Sequence, residues 1–280
     1  MDTVFVVSDG FNTSYIDSLI VGLFYKETHL DEMLIQIPEK MKFAYLQELM
    51  YNNIVYLVRH NFCVDATLIN EIRNYSIICG WKCGLNITEL YNVIDYLDFL
   101  ITGFNFGHIS YEIIEIQKGI SETTKSLDIN YIQINVGSDN DIQTLLKKWI
   151  CNILLEDVND DNDIYYHFKE LPMFITIYLN RIMENKQINT CSIDIKKRIK
   201  FYKNNDKTQS NASWIIHCII CYSNSSTGKY YTILNDIDNY YIFNNDKIPS
   251  MSKIDIKNKD IARKIKQECV LVIYRFDNSL

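Results

Sequence analysis

The sequence predicts an α+β protein, with helices in the first part of the chain and strands in the later part. Three observations carry this. Up to about residue 105 the apolar residues recur at three- and four-residue spacings, and from residue 131 onward they alternate or form short β-type runs. The two kinds of segment do not interleave as they would in a βαβ protein. No Pro-, Gly- or Ser-rich linker divides the 280 residues, so a single domain is expected, with residues 1 to about 105 helical and about 106–280 mainly β.

The first helix is expected within Phe11–Tyr25. Asn12, Thr13 and Ser14 are N-cap types, and Ile16, Leu19, Ile20, Leu23 and Phe24 define one apolar, buried face. Asp31–Tyr51 has helical spacing interrupted by Pro38. Leu68–Tyr75 reads as a short helix, and Asn86–Ile101 as a longer one with Leu90, Val93, Ile94, Leu97 and Leu100 on one side. Tyr131–Val136 alternates as a half-buried strand does. Ser138–Asp141 supplies turn and cap types before a helix over Ile142–Leu155. The acidic run Glu156–Asp163 reads as a solvated loop. Pro172–Leu179, Trp214–Tyr222, Tyr230–Leu234, Tyr240–Phe243 and Cys269–Arg275 are the further strands.

A hydrophobic content of 48% with 20 Tyr and 13 Phe is ample for a sizeable core. The net charge of −7 disfavours a general nucleic-acid or anionic-membrane binder. The Lys-rich tract Lys196–Lys207 is read as a solvated face. No secretory signal is seen: Val4–Val7 is too short, lacks a basic lead and runs into Asp9. No apolar run approaches the ~20 residues of a spanning helix. Eight scattered cysteines do not form a disulfide framework, so a protein of a reducing, cytoplasmic compartment is expected.

Metal and redox chemistry find little support. Cys79 and Cys83 have no partner pair at zinc-ribbon spacing. Cys218 and Cys221 point to opposite faces of a strand, which suits neither zinc nor a redox pair. His29, His60, His108 and His167 have no partner at ligand spacing, and His217 lies inside a strand, where a buried, hydrogen-bonded histidine is expected. No cofactor and no metal are therefore expected.

Several segments, in collinear order over nearly the whole chain, resemble those of the ubiquitin-specific proteases, a papain-like family of deubiquitinating enzymes. Asn12-Thr13-Ser14-Tyr15 resembles the cysteine box, and Asn86-Ile87-Thr88-Glu89-Leu90 a helix of the thumb. Tyr131–Leu146 is similar to the strand and helix that lead into the fingers, and Leu171–Arg181 to a Leu-Pro…Leu-x-Arg palm strand. Trp214–Ile248, with Gly228-Lys229-Tyr230-Tyr231 and Tyr241-Ile242-Phe243-Asn244-Asn245, resembles the histidine box, and Cys269–Phe276 the closing strand. The histidine-box and terminal-strand patterns also resemble those in core proteins of large DNA viruses.

The resemblance implies a helical thumb, an antiparallel β palm and shortened fingers, because Ile114–Gln117 and Glu156–Asp163 stand where the family carries its zinc-binding C-x-x-C pairs. It also assigns positions. Ser14 matches the nucleophilic cysteine, Lys229 the base histidine, Asn244 the residue that orients the base, and Asp9 the oxyanion donor, while Phe11 replaces a preferred glycine. A serine hydroxyl needs a competent general base more than a thiol does. A lysine can serve only when its charge is strongly disfavoured. A carboxylate at position 9 repels the negative charge that an oxyanion site must hold.

The resemblance thus implies a catalytically inactive relative acting as a binding or structural module. Its partner would be ubiquitin, a ubiquitin-like protein or viral structural proteins, in host cytoplasm or in a virion. The alternative is an active deubiquitinase or ubiquitin-like isopeptidase with a rewired Ser14–Lys229 site.

Overall fold

A computed structural model describes residues 7, 10, 12–82, 91–117, 120–137, 141–151, 162–181, 188–200, 212–223, 228–237 and 239–277. In chain order it begins with helix α1 (Ser14–Phe24), a 3-10 turn (His29–Asp31), α2 (Glu32–Ile35) and α3 (Met41–Met50). A π-helical turn (Tyr51–Val55), α4 (Tyr56–Arg59), α5 (Ala66–Cys79) and α6 (Val93–Phe104) complete the helical region. Strands β1 (Ile109–Gln117), β2 (Ile120–Ile129) and β3 (Ile132–Asn135) precede α7 (Ile142–Cys151). They are followed by β4 (Asn162–Phe168), β5 (Phe174–Asn180), β6 (Arg198–Lys200), β7 (Ser213–Tyr222), β8 (Tyr230–Asp236), β9 (Asn239–Phe243) and β10 (Met251–Ile254). Helix α8 (Lys259–Glu268) and β11 (Cys269–Phe276) close the chain.

The chain forms two compact units, residues 1–106 with 217–272, and residues 107–216 with 273–280. In the first, strand order is β10-β9-β8-β7-β11, and β8 pairs antiparallel with both β7 and β9. Helix α1 is its centre, packed on β8 and flanked by α5 and α6. All eleven residues of α1 are buried. This corrects the expectation of a single apolar face: Ser14, Asp17 and Ser18 are buried as well, because partners elsewhere in the unit take up polar groups of this helix. The capping expectation is corrected too. Thr13 is the N-cap residue but makes no side-chain cap bond; its Oγ1 accepts the Gly10 N–H at 3.0 Å. Gly22 allows a close approach of α1 to the sheet, since a Cβ there would stand 3.2 Å from Thr232 Cγ2 and 3.3 Å from Cys218 Sγ.

The Pro38 interruption falls between α2 and α3, as the sequence indicates. Helix α5 is longer than expected, ending at Gly80 in the left-handed conformation, φ +107°. Helix α6 starts later than expected, at Val93, because Asn92 caps it by accepting the Ile94 N–H; Leu90 and the thumb segment 86–90 lie outside the described residues.

Asp65 caps α5, its Oδ1 accepting from Thr67 N at 2.8 Å and Thr67 Oγ1 at 2.7 Å. These two bonds, the backbone one first, hold its carboxyl below the ordinary aspartate range. A depressed value means stabilisation that is present above the unfolded value of about 3.9 and lost as pH falls through the folded value. Asp65→Ala is therefore expected to lower Tm at pH 7, and the difference from the parent protein should shrink as pH falls below about 3.9. A difference that persists in acid would show that the cap acts without its charge.

In the second unit β2-β1-β4 form a three-stranded antiparallel sheet, and β6 and β5 flank the residues of β7 and β11 that belong here, with β3 beyond β5. The alternation read in Tyr131–Val136 is real, alternately buried and exposed along β3, but β3 pairs with β5 in parallel. Asp141 caps α7 through Gln143 N at 2.9 Å. Of the expected acidic loop, Asn162 and Asp163 already belong to β4, and 156–161 lie outside the described residues. Trp214 and Arg181 are the largest buried side chains of this unit. The Arg181 guanidinium donates to the carbonyls of Asn189 and Cys191 at 2.9 and 2.7 Å.

Among the described residues, no helix is long and apolar enough to cross a membrane.

Candidate active site

Ser14 is the first residue of α1 and is fully buried. Its Oγ accepts the backbone N–H of Tyr230, 216 residues later, at 3.2 Å. The early helix and the late hairpin therefore meet at this atom. Tyr230 opens β8 directly after Gly228 and Lys229, and the hairpin is closed by Ser223 N donating to Lys229 O at 2.8 Å. Gly228 has φ +43°, and a Cβ on it would lie 2.2 Å from Tyr222 Oη, so only glycine fits this turn without displacing Tyr222. The Tyr222 and Tyr230 rings meet edge to face at 5.0 Å, and Tyr230 Oη accepts from Val93 N at the start of α6 at 3.4 Å.

Lys229 carries its ammonium to Asp246 Oδ1 at 2.6 Å, with the two side chains 24% and 44% exposed. Asn244, matched to the orienting residue, bonds elsewhere. Its N–H donates to Ser250 O at 2.8 Å, and its Oδ1 accepts Asp246 N at 2.9 Å. Asn244 thus shapes the turn that presents Asp246 to Lys229. Asp9 and Phe11 lie outside the described residues. Their neighbour Val7 is tied to the turn after β9, its N–H donating to Ser250 Oγ at 2.8 Å.

Further residues not singled out from the sequence complete the region. Asn245 Nδ2 donates to Asp17 Oδ2 at 2.5 Å with both residues buried, and Thr232 Oγ1 donates to Ser18 O at 2.7 Å. Asp246, the acid that takes Lys229, carried one available signal: it is the carboxylate of the Asn244-Asn245-Asp246 turn that follows Phe243.

The strand histidine His217 is far from this chemistry. His217 is fully buried in β7, and its Nε2 donates to Leu23 O at 2.9 Å while its ring lies 5.2 Å from that of Tyr25. Leu23 is nine residues along α1 from Ser14, a separation of about 14 Å at 1.5 Å per residue. The buried Cys218 thiol is no ready nucleophile either. Burial, and then the neighbouring Cys269, pushes the Cys218 thiol far above its ordinary range and keeps it protonated. Tyr231 is likewise held as a neutral phenol, first by burial and then by Cys221 and Glu268, and its Oη donates to Glu268 Oε2 at 2.7 Å. Among the described residues no cluster of His, Cys, Asp or Glu has the arrangement of a metal site.

The pieces available for acyl transfer are thus a buried hydroxyl facing a backbone donor and an ammonium held by a carboxylate. No imidazole stands beside either among the described residues. No family model matches the chain, and no curated protein matches it in sequence. Solved structures do match in shape. The SAGA Ubp8/Sgf11/Sus1/Sgf73 DUB module bound to ubiquitin aldehyde contains a chain that superposes with a TM-score of 0.67 at 13% identity, over 98% of this chain and 69% of that one. The module bound to monoubiquitin gives 0.66 at 12%, again over 98% and 69%. The yeast SAGA DUBm with a variant Sgf73 gives 0.64 at 11%, over 98% and 68%. This chain therefore has the α+β, papain-like fold of the ubiquitin-specific protease type, with a helical thumb and a β palm.

Proposed function

We propose that this is a ubiquitin-specific-protease-like domain that binds ubiquitin or a ubiquitin-like protein without cleaving it. The ion pair between Lys229 and Asp246 carries the reading. A serine nucleophile needs a group that takes its proton, and an ammonium 2.6 Å from a carboxylate is held in its charged form, with no free lone pair to accept one. Ser14 Oγ itself receives a hydrogen bond from Tyr230 N, which suits a structural hydroxyl. Groups that act as a catalytic unit lose activity together, so replacement of the base alone is sufficient to silence the site. Support for the ligand class comes from the matched structures, which are described as bound to monoubiquitin and to ubiquitin aldehyde.

Incubation with a fluorogenic ubiquitin substrate is expected to give no turnover above that of Ser14→Ala. Calorimetric titration with monoubiquitin is expected to give saturable binding. Turnover that disappears in Ser14→Ala would overturn the first half of the proposal. An absence of heat up to about 1 mM ubiquitin, the weak end of specific affinity, would overturn the second.

A further inference from the structure

The helical region exposes a cluster of rings that the site above does not use. Tyr51, Tyr56, His60 and Phe62 are all exposed. Tyr56 lies 4.1 Å from His60 between ring centroids, Tyr51 lies 6.4 Å from Tyr56, and His60 and Phe62 are stacked at 6.4 Å with 14° between their planes. Two departures from regular helix assemble them. Residues five apart in an α-helix point about 140° away from each other around the axis. Here Tyr56 N donates to Tyr51 O, and this π turn brings both tyrosines to one side. At the other end Asn61 is left-handed, φ +60°; Phe62 N donates to Leu57 O at 2.8 Å and Asn61 N to Val58 O at 3.2 Å. That helix stop turns Phe62 back beside His60.

The carboxylates that flank the ring cluster along the chain are exposed. Glu48 lies one helical turn before Tyr51 and Asp65 lies three residues after Phe62, and both are exposed. The one cation of α4, Arg59, is spent elsewhere: its guanidinium donates to Asp31 at 2.8 and 3.0 Å and to the carbonyls of Phe24 and Lys26. Nucleic acid would find rings for its bases, but Arg59, the cation of α4, is already engaged with Asp31. A second copy of the chain would bring another net charge of −7. A guanidinium satisfies both features at once, because it stacks on aromatic faces and pairs with carboxylates.

We propose that the Tyr51–Tyr56–His60–Phe62 cluster is a docking site for an arginine-bearing basic segment of a partner protein. The rings supply the stacking platform, and Glu48 and Asp65 the counter-charge. The site is independent of the Ser14 region and of whether ubiquitin binds there.

The test is fluorescence anisotropy with a labelled peptide of four Arg-Ser repeats, its Lys-Ser counterpart and a labelled oligothymidylate. Saturable binding of the arginine peptide is expected, with the lysine peptide weaker by about threefold. Tyr56→Ala with Phe62→Ala removes two rings without changing charge and is expected to weaken the arginine peptide by about tenfold. Tyr56 and Phe62 are 41% and 53% exposed, so an unchanged Tm should confirm folding, and Tyr56→Leu serves as the gentler variant. Equal affinity with and without the rings would reduce the binding to surface charge and overturn the proposal. So would absence of arginine-peptide binding, or tighter binding of oligothymidylate.

Discussion

Trp214→Ala is expected to destabilise the protein by about 3–5 kcal/mol, the range for removing a large buried aromatic side chain. Trp214 is fully buried in the second unit, opposite Ile199 on β6 and edge to face with Phe276 at 5.6 Å, with Phe168 at 6.5 Å. Its indole Nε1 also donates to Pro172 O at 2.7 Å, so truncation removes the donor to a carbonyl as well as opening a cavity. Trp214→Phe keeps most of the packing and loses the donor, and should cost about half as much. Urea denaturation followed by far-UV circular dichroism measures both. A loss below about 1 kcal/mol for the alanine variant would mean that the site collapses around the gap.

Asn245→Ala is expected to cost about 1–3 kcal/mol, because it removes the Asn245 donor from a buried carboxyl oxygen. The Asp17 carboxylate is fully buried in the first turn of α1, and Asn245 Nδ2 reaches it at 2.5 Å from the turn after β9. The exposed pair Arg263–Asp260 on α8, at 3.0 Å with 68% and 85% exposure, should by contrast contribute no more than about 0.5 kcal/mol. A double-mutant cycle of Asn245→Ala with Asp17→Ala should give a coupling of at least about 1 kcal/mol by the same unfolding assay. Additive losses would show that the two residues stabilise the protein through different neighbours.

Much of the fold is legible in the residue pattern, and the parts that are not have local causes. The strands β5, β7, β8, β9 and β11 are dense apolar runs, too short for buried helices, and the spacing reads them correctly. The hairpin of β1 and β2 is not read, because alternation along Ile109–Gln117 changes phase at Ile113–Ile114, where the register shifts at a bulge. Helix α8 is missed for another reason. Its sequence is largely charged, only Ile265 is buried, and its clearest signal is Asn258, whose side chain accepts from Asp260 N and Ile261 N. The full burial of α1 cannot be seen from spacing either, since Ser14, Asp17 and Ser18 find their partners more than 200 residues away.

The candidate site divides in the same way. Ser14 and Lys229 are picked out by a resemblance between segments, not by any local periodicity, and nothing near Lys229 in sequence announces that Asp246 will take its charge. Asn244 carries the amide expected of an orienting residue, yet a tight turn two residues long directs its oxygen to the backbone of Asp246. Which side chain a turn residue faces is decided by the tertiary fold, and composition does not record it.

The bare Cα of Gly22 has a consequence one turn away on its own helix, at Ser18. With no side chain to act as a spacer, α1 can lie flush against Thr232 and Cys218 at this point. A methyl group at position 22 would press on both side chains, which must give by a few tenths of an ångström to admit it. Thr232 is the shared neighbour, its Cγ2 facing position 22 while its Oγ1 donates to Ser18 O, so a residue with no polar atom in its side chain helps to seat a polar contact.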